Sequence, residues 1–213
     1  MVSKLEIWNA ALDELGHEIL SDTGEGNRPG QVLARLYDNV VADCLADASW
    51  NFAMETIKAE ADTGVTPEFG YRYVFAKPSD WVRTYAVSQD EYFTYPLLQY
   101  YDDQGFWSAD STPLYIRYVS NDTGLGLEMS RWGAKFRRYV ELELAARACM
   151  PITQNASLRE DIEKARDRAR KDAKVKDAMD EPQPKYPPPS SWTQARAGRI
   201  GRGDRGNRGR LIG

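Results

Sequence analysis

The sequence carries a single histidine, His17, among 213 residues. A Ser-His-Asp or Cys-His mechanism would have to use it, yet no nucleophile motif lies near. Its place beside a helix end marks it as structural. There are two cysteines, Cys44 and Cys149. A zinc site needs Cys/His clusters at ligand spacing, and the sequence has none. Both cysteines fall in helical patterns among apolar neighbours, which predicts reduced core residues and synthesis in a reducing cytoplasm. No glycine-rich phosphate loop with its lysine is present. No stretch approaches the roughly 18 apolar residues of a membrane span. Met1 to Glu6 lack the apolar core of a secretory signal. Carboxylates are abundant, but no pair stands out by spacing as an acid/base couple. The expectation is a non-enzymatic chain with no catalytic residue, no cofactor, no metal and no membrane contact.

Aromatic residues, by contrast, are plentiful: twelve Tyr and six Trp in a chain that is 11% aromatic. The length allows one domain of ordinary size plus an extension. The extension is legible in the charge. From Pro182 to Gly213 seven basic residues (Lys185, Arg196, Arg199, Arg202, Arg205, Arg208, Arg210) face one acid, Asp204, a net of +6. The whole chain carries −4, so residues 1–181 carry −10. The segment opens with Pro182, Pro184, Pro187, Pro188 and Pro189, passes Trp192 and ends in Arg/Gly repeats. Such a composition cannot bury a core of its own. The prolines suit a stiff spacer, Trp192 an anchor and the Arg/Gly run an adaptable charged end. Arg202-Gly203-Asp204 spells an integrin tripeptide, which is expected by chance in such a run.

Hydrophobic periodicity divides residues 1–181 into helices and a β insertion. Leu5, Trp8, Leu12 and Leu15 mark a first helix over about 4–15, with Gly16 placed to end it. Val32, Leu33, Leu36, Tyr37, Val40, Val41, Cys44, Leu45 and Ala48 form a broad stripe over about 29–48, starting near Pro29. The period then changes. Over about 50–120, runs rich in aromatic and β-branched residues read as strands: Phe69-x-Tyr71-x-Tyr73-Val74-Phe75, Trp81 to Val87, Tyr92 to Tyr95, and Leu114 to Val119. Turn residues separate them at Lys77–Asp80, Ser88–Asp90, Asp102–Gly105 and Ala109–Pro113. This predicts one small, mostly antiparallel sheet. Helices return over about 131–150, where Trp132, Phe136, Val140, Leu144 and Ala148 stand four apart with Tyr139 alongside, and Pro151 closes the run. Ser157-Leu158-Arg159-Glu160 has the form of a capping box opening a helix over about 157–179. That helix has a small inner face (Leu158, Ile162, Ala165, Ala169, Ala173) and densely charged outer faces. The fold class is α+β: about four helices, an inserted antiparallel β domain and a basic C-terminal arm.

Three uses fit the arm: docking on another protein, binding nucleic acid through phosphate contacts, or simple solvation. The acidic body and the lack of aromatics beyond Trp192 weigh against nucleic acid and toward docking. The aromatics between Phe69 and Tyr118 supply a sheet core with alternate members. The remainder suit protein contacts, where Tyr, Trp and Arg are the usual anchors.

The order of landmarks resembles a known family. A short helix ends in Leu15-Gly16, and the next carries Leu36-Tyr37-Asp38. Trp50-Asn51-Phe52-Ala53 follows, then Tyr71-x-Tyr73 and Pro78-Ser79-Asp80-Trp81-Val82-Arg83. The strand Tyr115 to Val119 leads to the aromatic helix Trp132 to Ala148. This is similar to the head-to-tail adaptor proteins of short-tailed bacteriophages, also called tail tubular protein A or head completion proteins, over roughly Leu5 to Met179. The resemblance implies a structural virion protein of the neck, assembled in the host cytoplasm as a dodecameric ring beneath the portal protein. The ring would extend the DNA channel without sequence-specific binding and carry the tail nozzle protein and tail fibres. The resemblance also implies a role for the arm. Disordered in the free monomer, it would order on the portal or a neighbouring subunit through Trp192, Arg196, Arg199, Arg202, Arg205, Arg208 and Arg210. The runner-up is a nucleic-acid-binding module acting through the same arm. A cell-wall hydrolase using a carboxylate pair comes third.

Overall fold

A computed structural model describes residues 3–180, except 25, 66, 68, 69, 95 and 104. The chain divides into two units, Met1–Ala178 and Met179–Gly213. The described residues form four α-helices and two three-stranded antiparallel sheets, an α+β fold.

Helix α1 (Lys4–Glu14) starts at a capping box: the Ser3 hydroxyl accepts from the Glu6 N–H, and the Ser3 N–H donates back to the Glu6 carboxylate. It ends where Gly16 takes φ 65°, a left-handed conformation glycine adopts without strain. The following loop is clipped to the helix by Asn9, whose amide bonds the Leu20 backbone twice, at 3.0 and 2.9 Å. Helix α2 (Arg28–Ala46) is capped by Asn27 and carries Pro29 in its first turn. Helix α3 (Ala134–Thr153) packs against both. Its Phe136 ring is the hub of an aromatic cluster, 4.8 Å from both Trp50 and Phe52 and 5.2 Å from Trp132. Helix α4 (Ala156–Asp180) adds only Ile162 and Ala173 to the fully buried set. The resulting core holds 28 buried residues, including Cys44 and Cys149, both free thiols. Burial pushes the Cys44 thiol far above its ordinary range, so it is an inert packing group.

Between α2 and α3 lie the strands. In the first sheet β6 (Leu114–Ser120) is central, flanked by β1 (Met54–Ala59) and β3 (Trp81–Ser88). In the second, β5 (Phe106–Ala109) is flanked by β2 (Tyr73–Ala76) and the two-residue β4 (Tyr101–Asp102). Between the sheets sits a second cluster of six buried residues: Phe75, Val87, Trp107, Ala109, Leu114 and Ile116. Val119, at the far end of β6, belongs to the helical core instead. The first sheet is therefore rooted in the bundle by one end and covered by the second sheet on the other side.

The structure corrects several sequence expectations. One sheet was expected and two form. A single short sheet would leave Phe75, Trp107, Val87 and Ile116 facing water, whereas two sheets cover one another. Tyr92 to Thr94 is a turn and not a strand. The Asp90 carboxylate accepts from the Tyr92 and Thr94 N–H groups, and Phe93 sits at φ 53°. Tyr71 precedes β2, and Phe69 and Tyr95 lie outside the described residues. Trp132 stands before α3, its indole N–H donating to the Gly126 carbonyl at 2.9 Å. Pro151 lies within α3, since its fixed φ is helical; left-handed Gln154 ends the helix. The cap of α4 is Asn155, which accepts from the Leu158 N–H, and not Ser157. The arm, 182–213, lies outside the described residues.

Candidate functional site

The residues expected to contact a partner, Trp192, Arg196, Arg199, Arg202, Arg205, Arg208 and Arg210, lie outside the described residues. The helix that precedes them is described, and it is held by charge. Asp47 occupies the C-terminal cap of α2, where the helix dipole disfavours a carboxylate. Its partners explain it. The Arg170 guanidinium donates to both carboxylate oxygens, and the Lys174 ammonium lies 2.8 Å away. Burial alone would raise the Asp47 pKa, but these donors outweigh it and hold the carboxyl below its ordinary range. One turn further, the Asn51 N–H donates to the Asp177 carboxylate at 3.0 Å and its side chain to the Asp177 carbonyl at 2.7 Å. Arg166 reaches the buried Glu143 of α3 at 3.5 Å, and Glu143 also pairs with Arg147. A shallow concavity of about 360 Å³ on this helix is lined by Asp167, Arg170, Lys171 and Lys174. All four of its lining residues are charged, unlike the mostly hydrophobic and aromatic lining of a small-molecule site.

The β module is held by two polar joints. The first centres on Asp80, in the turn that enters β3. Its carboxylate accepts from the Ser120 hydroxyl and from the Tyr118 hydroxyl at 3.2 Å, while Glu55 accepts from the same phenol at 3.0 Å. Tyr118 is buried, and burial together with the two carboxylates pushes its phenol well above the usual range. The second joint is Lys77, whose side chain is only 3% exposed. Its ammonium lies 3.4 Å from the Trp81 ring centroid and 5.4 Å from that of Trp107, and it donates to the Asp102 carboxylate and the Asp103 carbonyl. Both indole N–H groups end on the Thr84 hydroxyl, at 3.1 and 2.8 Å. Lys77 thus ties the first sheet's Trp81 to the second sheet's Trp107.

Fewer of the insertion's aromatics are buried than the alternation predicts, and Tyr71, Trp81, Phe93 and Tyr100 are half-buried. Phe75 and Trp107 are buried, whereas Tyr73, Tyr85, Tyr92, Tyr101 and Phe106 are exposed. Leu98, in the loop before β4, is 90% exposed.

Chemically, Asp80 and Glu55 share the Tyr118 hydroxyl as donor, and Asp80 also accepts from Ser120, in a structural joint. Among the described residues no group of three or more His, Cys, Asp or Glu side chains is arranged to hold a metal. No described helix is long and apolar enough to cross a membrane. No protein-family model matches the chain, and no curated protein matches it.

Sequence reading missed the anchoring of α4. Asp47 and Arg170 stand 123 residues apart, so no local pattern links them. One signal was available: an aspartate at a helix C-terminus asks for a cationic partner. The Asp-Thr-Gly triplet occurs at Asp22, Asp62 and Asp122; at Asp62 and Asp122 the carboxylate accepts the glycine N–H two residues on, a turn device legible in the sequence.

Proposed function

We propose that the chain is a structural subunit of a bacteriophage neck: a head-to-tail adaptor that joins the portal protein to the tail nozzle and forms a ring around the DNA channel. The observation that carries this reading is where the shared landmarks fall. Trp50 and Phe52 pack on Phe136, and Asn51 holds Asp177. Asp80 ties the β3 turn to β6, and an Arg83 guanidinium N–H reaches the Asp47 carbonyl at 3.5 Å. The residues on which the resemblance rests are thus the joints between helices and strands, as suits an inherited scaffold. The charge supports the same reading. A body of −10 repels phosphate, so DNA in a channel of such subunits slides without sticking.

The arm is the portal-binding element in this reading. Removal of residues 182–213 is expected to leave the circular dichroism spectrum of the body intact and to weaken portal binding at least about tenfold. Capture of the portal at full strength by the shortened chain would overturn the arm's role. The mass of the protein on the portal tests the ring itself, with a dodecamer expected. The Arg/Gly composition also favours a second reading, a nucleic-acid-binding arm. A salt-dependent gel shift with single-stranded DNA, lost on the same deletion, would establish that alternative.

A further inference from the structure

Helices α3 and α4 are joined by two residues, Gln154 and Asn155. Gln154 stands at φ 55° and ψ 23°, the left-handed region that a residue with a Cβ enters at a cost. This turn lets α4 fold back on its own bundle, and it interrupts the backbone ladder. The last carbonyls of α3 and the first N–H groups of α4 lose their helical partners there. Side chains replace some of them: the Asn155 amide oxygen accepts from the Leu158 N–H at 3.2 Å, and the Thr153 hydroxyl from the Asn155 N–H at 3.3 Å. With Gln154 in the right-handed region, α3 and α4 would run on as one helix about 70 Å long, its ladder unbroken. Pro151 is no obstacle, since it already lies inside α3.

The seat of α4 is made by the rest of the bundle. Asp47 takes Arg170 and Lys174, and the Asn51 backbone takes Asp177. On α3, Glu143 takes Arg166 at 3.5 Å and Lys135 takes Asp172 at 3.8 Å. Ile162 and Ala173 are the only α4 side chains that are fully buried. All of these contacts join α4 to the body, and none of them involves the hinge. The α4 of another copy would therefore meet the same seat with the same pairs. What binds the helix to its own body is the two-residue turn, and its left-handed residue and broken ladder disfavour the folded-back form. A short connection under strain, between elements that fit as well between copies as within one, is the arrangement that permits exchange of an identical element.

We infer that α4 is exchanged between two copies of this chain: the hinge at Gln154 and Asn155 straightens, and Arg166 to Asp177 of one copy seat on Glu143, Asp47 and Asn51 of the second, which returns its own α4. Because α4 runs antiparallel to α3, with Arg166 beside Glu143 and Asp172 beside Lys135, reciprocal exchange lays two continuous helices side by side about a two-fold axis. The inference goes beyond the neck reading. It concerns the protein alone in solution and needs no portal.

Complementary charge reversals in the full chain test it. Asp47→Lys sets the seat against its own Arg170 and Lys174. The double variant Arg170→Glu/Lys174→Glu sets the helix against its own Asp47. Each variant is mismatched within itself, yet exchange between the two satisfies both seats: the unaltered helix meets the unaltered Asp47, and the reversed helix meets the reversed seat. Circular dichroism confirms that each is folded, and sedimentation velocity reads each alone and the two mixed one to one. The mixture is expected to form a heterodimer at least about tenfold tighter than either variant associates with itself. A mixture that remains two monomers overturns the inference. The hinge then separates exchange from a simple charge contact, because Gln154 and Asn155 are both exposed and far from the reversed charges in sequence. Placed in both partners, Gln154→Gly relieves the left-handed turn and weakens the continuous helix, so the heterodimer should loosen at least about fivefold. Asn155→Ala removes a cap that only the folded-back form uses, so it should tighten at least about fivefold. If both hinge substitutions leave the heterodimer unchanged, the copies meet without exchanging α4 and the inference falls.

Discussion

The helical bundle and the β module solve the same problem with different materials. The bundle buries 28 residues in one cluster, and the module buries six between two small sheets. Burial scales with the apolar area removed from water, so the bundle has a large reserve and the module a small one. The module compensates with polar joints: one lysine between two indoles, and one phenol between two carboxylates. Such joints are directional, so they fix how two small sheets meet where apolar packing alone would leave the angle loose. The difference also explains the surface. A bundle with a full core turns charge outward, whereas strands too short to bury both faces leave rings such as Tyr101 and Phe106 in solvent.

The most damaging single change is therefore expected in the bundle. Phe136→Ala removes the ring on which Trp50, Phe52, Trp132 and Tyr139 all converge. A loss of about 4 kcal/mol is expected from urea unfolding. Because Phe52 and Met54 pack on the same core where β1 begins, the module should unfold with the bundle. A loss under about 1 kcal/mol would mean that the aromatic cluster is not the keystone described above.

Lys77→Met should cost less and cost it locally. The substitution keeps an apolar stem between Trp81 and Trp107 but removes the cation and leaves Asp102 without its partner. About 2 kcal/mol is expected for a desolvated cation–π contact. Amide hydrogen exchange reads the location: protection should fall in β2, β4 and β5 and hold in α1 to α3. Equal loss in both regions would make them one cooperative unit and dissolve the distinction.

Much of the bundle was legible in the sequence because helical burial writes a period. Phe136, Val140, Leu144 and Ala148 stand four apart and all are buried, and the α2 stripe is buried at all but Leu36 and Ala48. The module was legible only as strand-like sequence. Its partition into two sheets depends on which strands pair, and β6 joins β1 across sixty residues, a separation that local propensity does not carry. Tyr92 to Thr94 has strand composition, yet the Asp90 carboxylate captures its backbone N–H groups first. The candidate site was legible in reverse. The arm is evident from charge and composition, whereas the helix anchor at Asp47 appears only once distant residues meet.

The smallest effect should come from the charged seam where neither region buries much. Asp47→Asn removes the carboxylate that Arg170 and Lys174 share, while Ile162 and Ala173 keep α4 seated. Both cations are partly exposed, so screening limits the loss to about 1 kcal/mol. The pH dependence carries a sign. Asp47 is held below its ordinary 3.8 in the folded chain, so its contribution is present above that value and fades as pH falls through the folded pKa. Wild type and Asp47→Asn should therefore differ at pH 7 and converge in acid below the ordinary carboxylate range. Hydrogen exchange over Arg170 to Asp177 is the readout, since that stretch holds both cations and the Asn51 partner. If protection there is unchanged at neutral pH, the salt seam does not seat α4 and the clip between Asn51 and Asp177 holds the helix alone. If the wild type and the variant still differ in acid, the lost stability comes from packing around residue 47 and not from its charge.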